Sequence, residues 1–272
     1  MFTPQVVPAI IYFMKVDVRA MTHTGLVRKE NEDCHLVLEE LGLLAVADGM
    51  GGHAHGEVAS ALAVQTLRDA FTIEDQRAHI EGTFQTAKAQ GRLGEAEALE
   101  RFMLRAAIEN ANLAIHEKAR GDEALRSMGT TIVALYVFNG SAWVANVGDS
   151  RLYRMRDGTL TQITEDHSLI NEYLKLNLLT GDQAKAFPMK NIIVRALGLA
   201  EWVEVDTFEI ELAAGDLYLL CSDGLSDLVQ EEDISEILAR DDRDGTAERL
   251  VQAALAAGGL DNITVLLAWV GE

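Results

Sequence analysis

Acidic residues recur at the ends of apolar, β-rich runs, and this pattern constrains the fold more than any other feature of the chain. Apolar runs end at Asp48, Asp149 and Asp223, and another such run begins at Asp261. An acidic pair, Glu32 and Asp33, lies near the N-terminus. Strand ends allow a sheet to aim several carboxylates at one point. Clustered carboxylates repel one another, so they favour hard divalent cations, which bind oxygen ligands. The pattern therefore predicts a metal site at the edge of a sheet.

Composition indicates a soluble globular protein. Of 272 residues, 49% are hydrophobic and 24% are charged, which is enough for a sizeable core. The net charge of −20 makes nucleic acid an unfavourable partner. Cys34 and Cys221 lack the paired spacing of a zinc site, and we interpret them as buried, reduced thiols.

Nothing near the N-terminus predicts a leader or a membrane span. The apolar stretch 6–14 is interrupted by Pro8 and lacks a preceding basic segment. We expect a cytoplasmic protein with no membrane contact. Residues 1–14 are predicted to be a tail, or alternatively the product of an overlong gene start with Met14 as the real beginning. Without repeats or linkers, residues 15–272 are predicted to form a single domain.

Periodicity predicts an α+β fold. Apolar and β-branched runs predict strands at 16–22, 34–38, 43–47, 131–138, 142–147, 152–155, 205–210, 217–221 and 263–270. Helical spacing predicts helices at 56–71, 95–120, 232–239 and 246–257, with short helices within 166–186. Antiparallel strands with separate groups of helices suggest an α-β-β-α sandwich of two antiparallel sheets flanked by helices.

The segment 48–53 is the sharpest motif. Asp48 is followed by three glycines and then His53. Glycines let the backbone approach a ligand closely, so Asp48 could bridge two metals while the carbonyl of Gly49 completes one coordination shell. An ordinary glycine-rich turn is the alternative. A dinucleotide or P-loop site is excluded because neither glycine pattern is present.

Two further residues extend the acidic pattern. Arg28 precedes Glu32 and Asp33, and its planar guanidinium suits bidentate phosphate binding beside a metal. A simple ion pair between Arg28 and Glu32 is the alternative. Asp227 follows Asp223 by four residues, which places both on one side of a helical turn.

Seven strings resemble, in order, the motif set of the PP2C (PPM) family of metal-dependent protein serine/threonine phosphatases, and most closely its compact bacterial members: 28–33, 46–60, 129–131, 146–151, 195–198, 222–225 and 261–264. The resemblance covers residues 16–269. It implies an α-β-β-α sandwich with a binuclear Mn²⁺ or Mg²⁺ centre between the sheets. It also implies a mobile flap around 166–190 that bears on substrate choice and contains His167.

The resemblance also implies a role for each motif residue. Asp48 would bridge both metals, Asp223 and Asp261 would hold one, and Glu32 with the Gly49 carbonyl would reach the other. A third, weaker ion would be held by Asp149, Asp223 and Asp227. Asp33 would orient water from outside the coordination shell, and Arg28 would grip the phosphate.

The implied reaction is direct attack on phosphorus by a metal-bridging hydroxide, without a phosphoenzyme. His53 matches the residue that would protonate the leaving oxygen. An ordinary surface or core histidine is the alternative for His53, and His55 is a weaker rival.

The resemblance further implies phosphoprotein substrates and an opposing serine/threonine kinase. We expect a monomer. Two other functions stay open at this stage: a non-catalytic phosphoprotein-binding scaffold of the same fold, and a phosphoesterase acting on small molecules.

Overall fold

The strands pair antiparallel in two sheets. The computed structural model describes residues 15–51, 55–180, 183, 192–240 and 242–271. Its strands are β1 Val16–His23, β2 Asp33–Leu38, β3 Leu43–Met50, β4 Gly129–Thr130, β5 Ile132–Phe138, β6 Ser141–Val147, β7 Arg151–Arg156, β8 Thr159–Gln162, β9 Asp206–Glu211, β10 Leu217–Cys221 and β11 Ile263–Val270. One sheet has the order β1-β11-β10-β7-β8, and the other has β2-β3-β5-β6-β9 with β4 paired to β3.

Helices cover the outer face of each sheet. The helices of the described residues are α1 Gly56–Thr72, α2 Glu74–Ala89, α3 Leu99–Gly121, α4 Leu169–Lys175, α5 Asp223–Ser226, α6 Glu231–Leu238 and α7 Arg243–Ala256. Helices α1 and α3 pack on the β3 sheet, whereas α6 and α7 pack on the β10 sheet. A third apolar layer fills the space between the sheets. The predicted α-β-β-α sandwich is confirmed.

Strand β3 shows why the central strands are continuously apolar. Leu43 and Ala45 face the helices, while Leu44 and Val46 face the other sheet. Successive side chains of a strand point to opposite faces, and here both faces are covered. The same alternation occurs in β10, where Leu219 packs toward the helices and Leu220 toward the opposite sheet.

Within the described residues the predicted strands and long helices are present with shifted ends, whereas helix α2 and strands β4 and β8 were missed. The predicted helix 95–120 begins only at Leu99. Helix α2 was missed because only Ile80 and Phe84 of it are buried, so it lacks a clear apolar stripe. Strands β4 and β8 have two and four residues, too few for a periodic pattern.

Two predicted segments lie wholly or partly outside the described residues. They are the whole tail 1–14 and, in the flap, positions 181–182 and 184–190. The described beginning of the flap contains α4, whose N-terminus is capped by the Ser168 hydroxyl. Among the helices in the described ranges, none is long and apolar enough to cross a bilayer.

Candidate metal centre

Strand alternation brings two carboxylates into the layer between the sheets. Leu44 and Val46 face the opposite sheet, and Asp48 follows on the same face of β3. Asp33 begins β2 directly opposite Asp48 in the strand register. Both acids therefore lie at one end of the inter-sheet layer, where the apolar packing stops.

Hydroxyl groups from the other sheet hold Asp33. Its Oδ2 accepts hydrogen bonds from Ser222 Oγ at 2.8 Å and from Thr264 Oγ1 at 2.6 Å. Its Oδ1 is buried and has no hydrogen-bond partner among the described residues. Sequence reasoning missed Ser222 and Thr264, although Ser222 immediately precedes Asp223 in the motif set. Asp33 thus connects the sheets and keeps one oxygen for another partner.

Two threonines fix the main chain of Asp48. The Asp48 amide donates to Thr131 Oγ1 at 3.0 Å, and its carbonyl accepts from Thr130 Oγ1 at 2.8 Å. The Thr131 hydroxyl also lies 2.7 Å from Ser150 Oγ. The end of β3 is therefore tied to the turn after β6, which carries Asp149.

The acids assigned to the third site also lie together. Asp223 is the first residue of α5, and the Asp227 amide donates to the Asp223 carbonyl at 2.8 Å, which closes a helical turn as the four-residue spacing predicted. Asp149 Oδ1 is buried without a hydrogen-bond partner in the described part of the chain. The charges of Asp149 and Asp227 both act on Asp223.

The acids destabilise one another's charged forms. Burial raises the pKa of Asp48 well above its usual range, and four neighbouring carboxylates add to this: Asp33, Asp223, Asp149 and Asp261. Burial, followed by the charges of Asp149, Asp261 and Asp227, raises the pKa of Asp223 to about 8. Like charges in a low-dielectric site favour the protonated form unless a cation neutralises them.

Burial also raises the pKa of Asp33 and of Asp149, the two acids of this cluster with a buried oxygen that has no hydrogen-bond partner within the described residues. Burial raises the pKa of Asp33 to about 6, although the hydrogen bonds from Thr264 and Ser222 oppose this rise. Burial, and then the charge of Asp166, raises the pKa of Asp149 to about 6. The structure thus brings the predicted acids into one electrostatically coupled cluster.

Close backbone packing places Glu32 beside the glycine motif. A Cβ on Gly49 would lie 2.3 Å from the Gly56 carbonyl oxygen and 2.5 Å from that of Glu32. A Cβ on Gly56 would lie 2.4 Å from Glu32 Oε2. Only glycine allows this contact between the end of β3, the start of α1 and the 31–33 turn. Burial, and then the charge of Glu57, raises the pKa of Glu32.

Arg28 pairs with a predicted metal ligand. Its Nη2 lies 2.6 Å from Asp261 Oδ2, and about half of its side chain is exposed. The sequence left an ion pair between Arg28 and Glu32 as the alternative. In the structure, the ion pair of Arg28 is with Asp261 instead. Contact with phosphate stays a prediction for this guanidinium.

Asn262 joins the loops that carry Arg28 and Asp261. Its Oδ1 accepts from the Glu32 amide at 2.8 Å, and its Nδ2 donates to the carbonyls of Thr24 and Glu30, both at 2.9 Å. Sequence reasoning missed this role, because the three partners are distant in the chain. Asn262 is instead the main link between the two loops.

The donor set fits divalent Mn²⁺ or Mg²⁺. Carboxylate and carbonyl oxygens are the ligands that hard cations prefer, and two buried oxygens, on Asp33 and Asp149, have no protein partner in the described ranges. Within those ranges, no three side chains of the Asp, Glu, His or Cys type are already gathered as a finished ligand set.

The general acid predicted from the sequence, His53, lies outside the described residues. Its rival His55 immediately precedes α1 with a left-handed backbone, φ +62°. His55 Nδ1 lies 2.9 Å from Glu57 Oε1, so this ring already has a carboxylate partner. The assignment of His53 stays a prediction.

A sandwich of two antiparallel sheets with an acidic cluster at one end of its central layer defines the class of metal-dependent phosphatases of the PP2C type. Residues 26–257 match the family described as Protein phosphatase 2C. The chain therefore belongs to the protein phosphatase 2C family.

Known relatives agree in sequence and in structure. The serine/threonine phosphatase stp of Listeria welshimeri is 40% identical over 250 residues, which cover 90% of this chain and 92% of that protein. The crystal structure of the Mycobacterium tuberculosis serine/threonine phosphatase PstP/Ppp superposes with a TM-score of 0.80 at 37% identity, covering 94% of this chain and 99% of that chain. A structure of the PstP catalytic domain in complex with two manganese ions has a TM-score of 0.76 at 37% identity, with the same coverage.

Proposed function

We propose that this protein is a protein serine/threonine phosphatase that depends on Mn²⁺ or Mg²⁺. The observation that carries the proposal is the group of acids at the end of the inter-sheet layer, where Asp33 lies opposite Asp48 and where burial, together with four neighbouring carboxylates, raises the pKa of Asp48. Such a group suits a cation centre, and the relatives with this fold are named serine/threonine phosphatases.

Six acids and one carbonyl would hold the ions. Asp48 would contact two of them, as the motif resemblance implies, and the charges of four other aspartates act on its carboxylate. The remaining ligands would be Asp223, Asp261, Glu32 and the carbonyl of Gly49, with Asp149 and Asp227 beside Asp223 for a third ion. Bound ions would supply charge neutralisation for the phosphate and a strong nucleophile from water at neutral pH.

The chain's own residues would align the phosphate ester and the water. Asp33 is held by hydrogen bonds from Ser222 and Thr264, and its buried Oδ1 would accept a hydrogen bond from water and orient it. Arg28 would exchange part of its contact with Asp261 for the phosphate oxygens, which its planar fork suits. Arginine contacts of this kind stabilise charge on a transferring phosphoryl group.

His53 would donate a proton to the serine or threonine oxygen as it leaves. The support is its position at the close of the 48–53 motif, five residues after Asp48. His53→Ala should slow hydrolysis of a phosphopeptide more than hydrolysis of p-nitrophenyl phosphate, whose leaving group needs no proton. An equal loss on both substrates would count against this assignment.

The partners would be phosphoproteins and a serine/threonine kinase that opposes the reaction. Residues 15–272 would act as one catalytic domain, with the flap around 166–190 contributing to substrate choice. A monomeric, cytoplasmic protein without membrane contact stays our prediction.

The substrate class can be tested directly. The Mn²⁺-loaded protein should release phosphate from phosphoserine and phosphothreonine peptides with a higher kcat/KM than from nucleotides or sugar phosphates. A preference for the small phosphoesters would contradict the proposal, as would a fully loaded protein that hydrolyses none of these compounds.

A further inference from the structure

His167, in the predicted flap, lies next to the turn that carries Asp149, and Arg195, from the 195–198 motif string, contacts the far side of the His167 ring. The His167 amide donates to the Gly148 carbonyl at 2.9 Å. In return, the Gly148 amide donates to His167 Nδ1 at 3.0 Å. His167 therefore holds the peptide groups on both sides of Gly148, and Asn146 Nδ2 adds a contact of 3.4 Å with the Gly148 carbonyl.

The far side of the imidazole is anchored by an ion pair. His167 Nε2 lies 3.2 Å from Asp206 Oδ2 and 3.0 Å from Arg195 Nη1, and Arg195 Nη1 lies 2.6 Å from Asp206 Oδ1. Because Nδ1 accepts from Gly148, a neutral ring carries its proton on Nε2 and donates it to Asp206. Burial, and then the charge of Arg195, lowers the pKa of His167, which favours this neutral ring.

The turn at Gly148 needs support from outside. Its φ is +109°, and a Cβ there would lie 2.5 Å from the Thr131 side chain, so only glycine fits. Asp149 follows directly, and its Oδ1 has no hydrogen-bond partner within the described residues. The direction of the Asp149 carboxylate therefore depends on how firmly the preceding peptide is held.

We propose that His167 is a positioning residue for the metal centre. Its Nδ1, braced from behind by Asp206 and Arg195, fixes the Gly148 turn and so aims the Asp149 carboxylate at the ion. The inference rests on the proposed function in taking Asp149 as a ligand. Residues that orient metal ligands typically change metal affinity by about 10- to 100-fold when they are replaced.

Two amide substitutions separate the faces of the ring. In His167→Asn, the side-chain oxygen can take the place of Nδ1 and accept from the Gly148 amide. In His167→Gln, the amide reaches toward the Nε2 position and leaves the Gly148 amide without its acceptor. The readout is Mn²⁺ binding to the metal-stripped protein, measured by isothermal titration calorimetry. The binding step that is lost in Asp149→Asn is the one that depends on the Asp149 carboxylate.

We expect His167→Gln to weaken that step by about tenfold or more, and His167→Asn to restore most of the lost affinity. Asp206→Asn, which leaves the ring in place and removes a half-exposed charge, should weaken the same step. His116→Gln is the matched control, because His116 Nδ1 lies 3.1 Å from the carbonyl of another positive-φ glycine, Gly198. It should bind Mn²⁺ as the unmodified protein does.

Three results would overturn the assignment: unchanged Mn²⁺ binding in His167→Gln, equal weakening in His167→Asn and His167→Gln, or no binding step lost in Asp149→Asn. Thermal unfolding of each variant establishes that it is folded. Asp206→Asn tests the contact between Asp206 and His167 Nε2 without altering the buried ring. The calorimetry uses no phosphorylated substrate. A protein that binds Mn²⁺ as expected but cleaves no phosphopeptide would therefore contradict the proposed function and leave the role of His167 intact.

Discussion

At the residue scale, Asp223 shows how a functional acid opposes the stability of the fold around it. Burial and three neighbouring carboxylates raise its pKa to about 8, so its charge is unfavourable without a cation. Asp223→Asn should lower kcat by at least about 100-fold, because a charged ligand is lost. The melting temperature of the metal-stripped variant should be no lower than that of the parent. Near-normal turnover with Mn²⁺ would contradict the assignment of Asp223 as a ligand.

Arg28 is the residue that directs the metal cluster toward phosphate. Its contact with Asp261 is half exposed, and exposed ion pairs contribute little to stability. Arg28→Ala should therefore raise KM for a phosphopeptide by about tenfold or more, with an unchanged melting temperature. Arg19→Ala removes a comparable exposed pair, with Asp17 and Asp244, and should leave KM unaltered. Equal KM values for the Arg28 variant and the parent would exclude a phosphate contact.

At the element scale, the site depends on close approaches of backbone that only glycine permits. A Cβ on Gly224 in α5 would lie 1.9 Å from the Asn262 carbonyl oxygen, whereas one on Gly82 in α2 would have nothing within 4 Å. Gly224→Ala should destabilise the protein by about 2 kcal/mol or more and reduce activity, since it displaces the loop before β11. Gly82→Ala should stabilise by about 0.5–1 kcal/mol without altering kcat. Urea unfolding and peptide turnover measure both effects; an active, stable Gly224→Ala variant would show that this packing is not required.

Much of the fold could be predicted from the sequence because the sandwich buries its central strands on both faces. Runs such as 43–47 and 217–221 are therefore apolar throughout, and the acidic turns mark where they end. Helix α2 lacked such a signal, since most of its surface is exposed. At the site, the carboxylates were predicted from their types and positions. Their supports, such as Asn262 and Thr264, could not be predicted, because their partners are more than 200 residues away in the chain.

At the scale of the whole molecule, the acidic cluster should make stability depend on pH. In the unfolded chain Asp223 ionises near pH 4, but in the folded protein its pKa is about 8. Between these values the folded state keeps a proton that the unfolded state has lost, so stability falls as pH rises. The lowered pKa values of His35 and His167 act in the opposite sense, but this contribution is largely complete by the ordinary histidine pKa of about 6.5. From pH 6.5 to 8 the metal-stripped protein should therefore lose roughly 1–2 kcal/mol.

Urea unfolding in the presence of a chelator measures this loss. Asp223→Asn should make the profile shallower, because one of the acids with a raised pKa is gone while Asp48 stays. Excess Mn²⁺ should flatten it as well, since a bound cation favours the ionised carboxylate. Stability that rises from pH 6.5 to 8 in the chelated protein would contradict the electrostatic description of the cluster.

The whole account requires that the acids at the end of the inter-sheet layer act as a cation centre for phosphoprotein hydrolysis. The most direct test is phosphate release from a phosphothreonine peptide by protein stripped with a chelator and then titrated with Mn²⁺. We predict no turnover in the stripped protein, and recovery that rises more steeply than a single binding site allows, because more than one ion is required. Full activity in the presence of the chelator, or a loaded protein that leaves the peptide intact, would contradict the account.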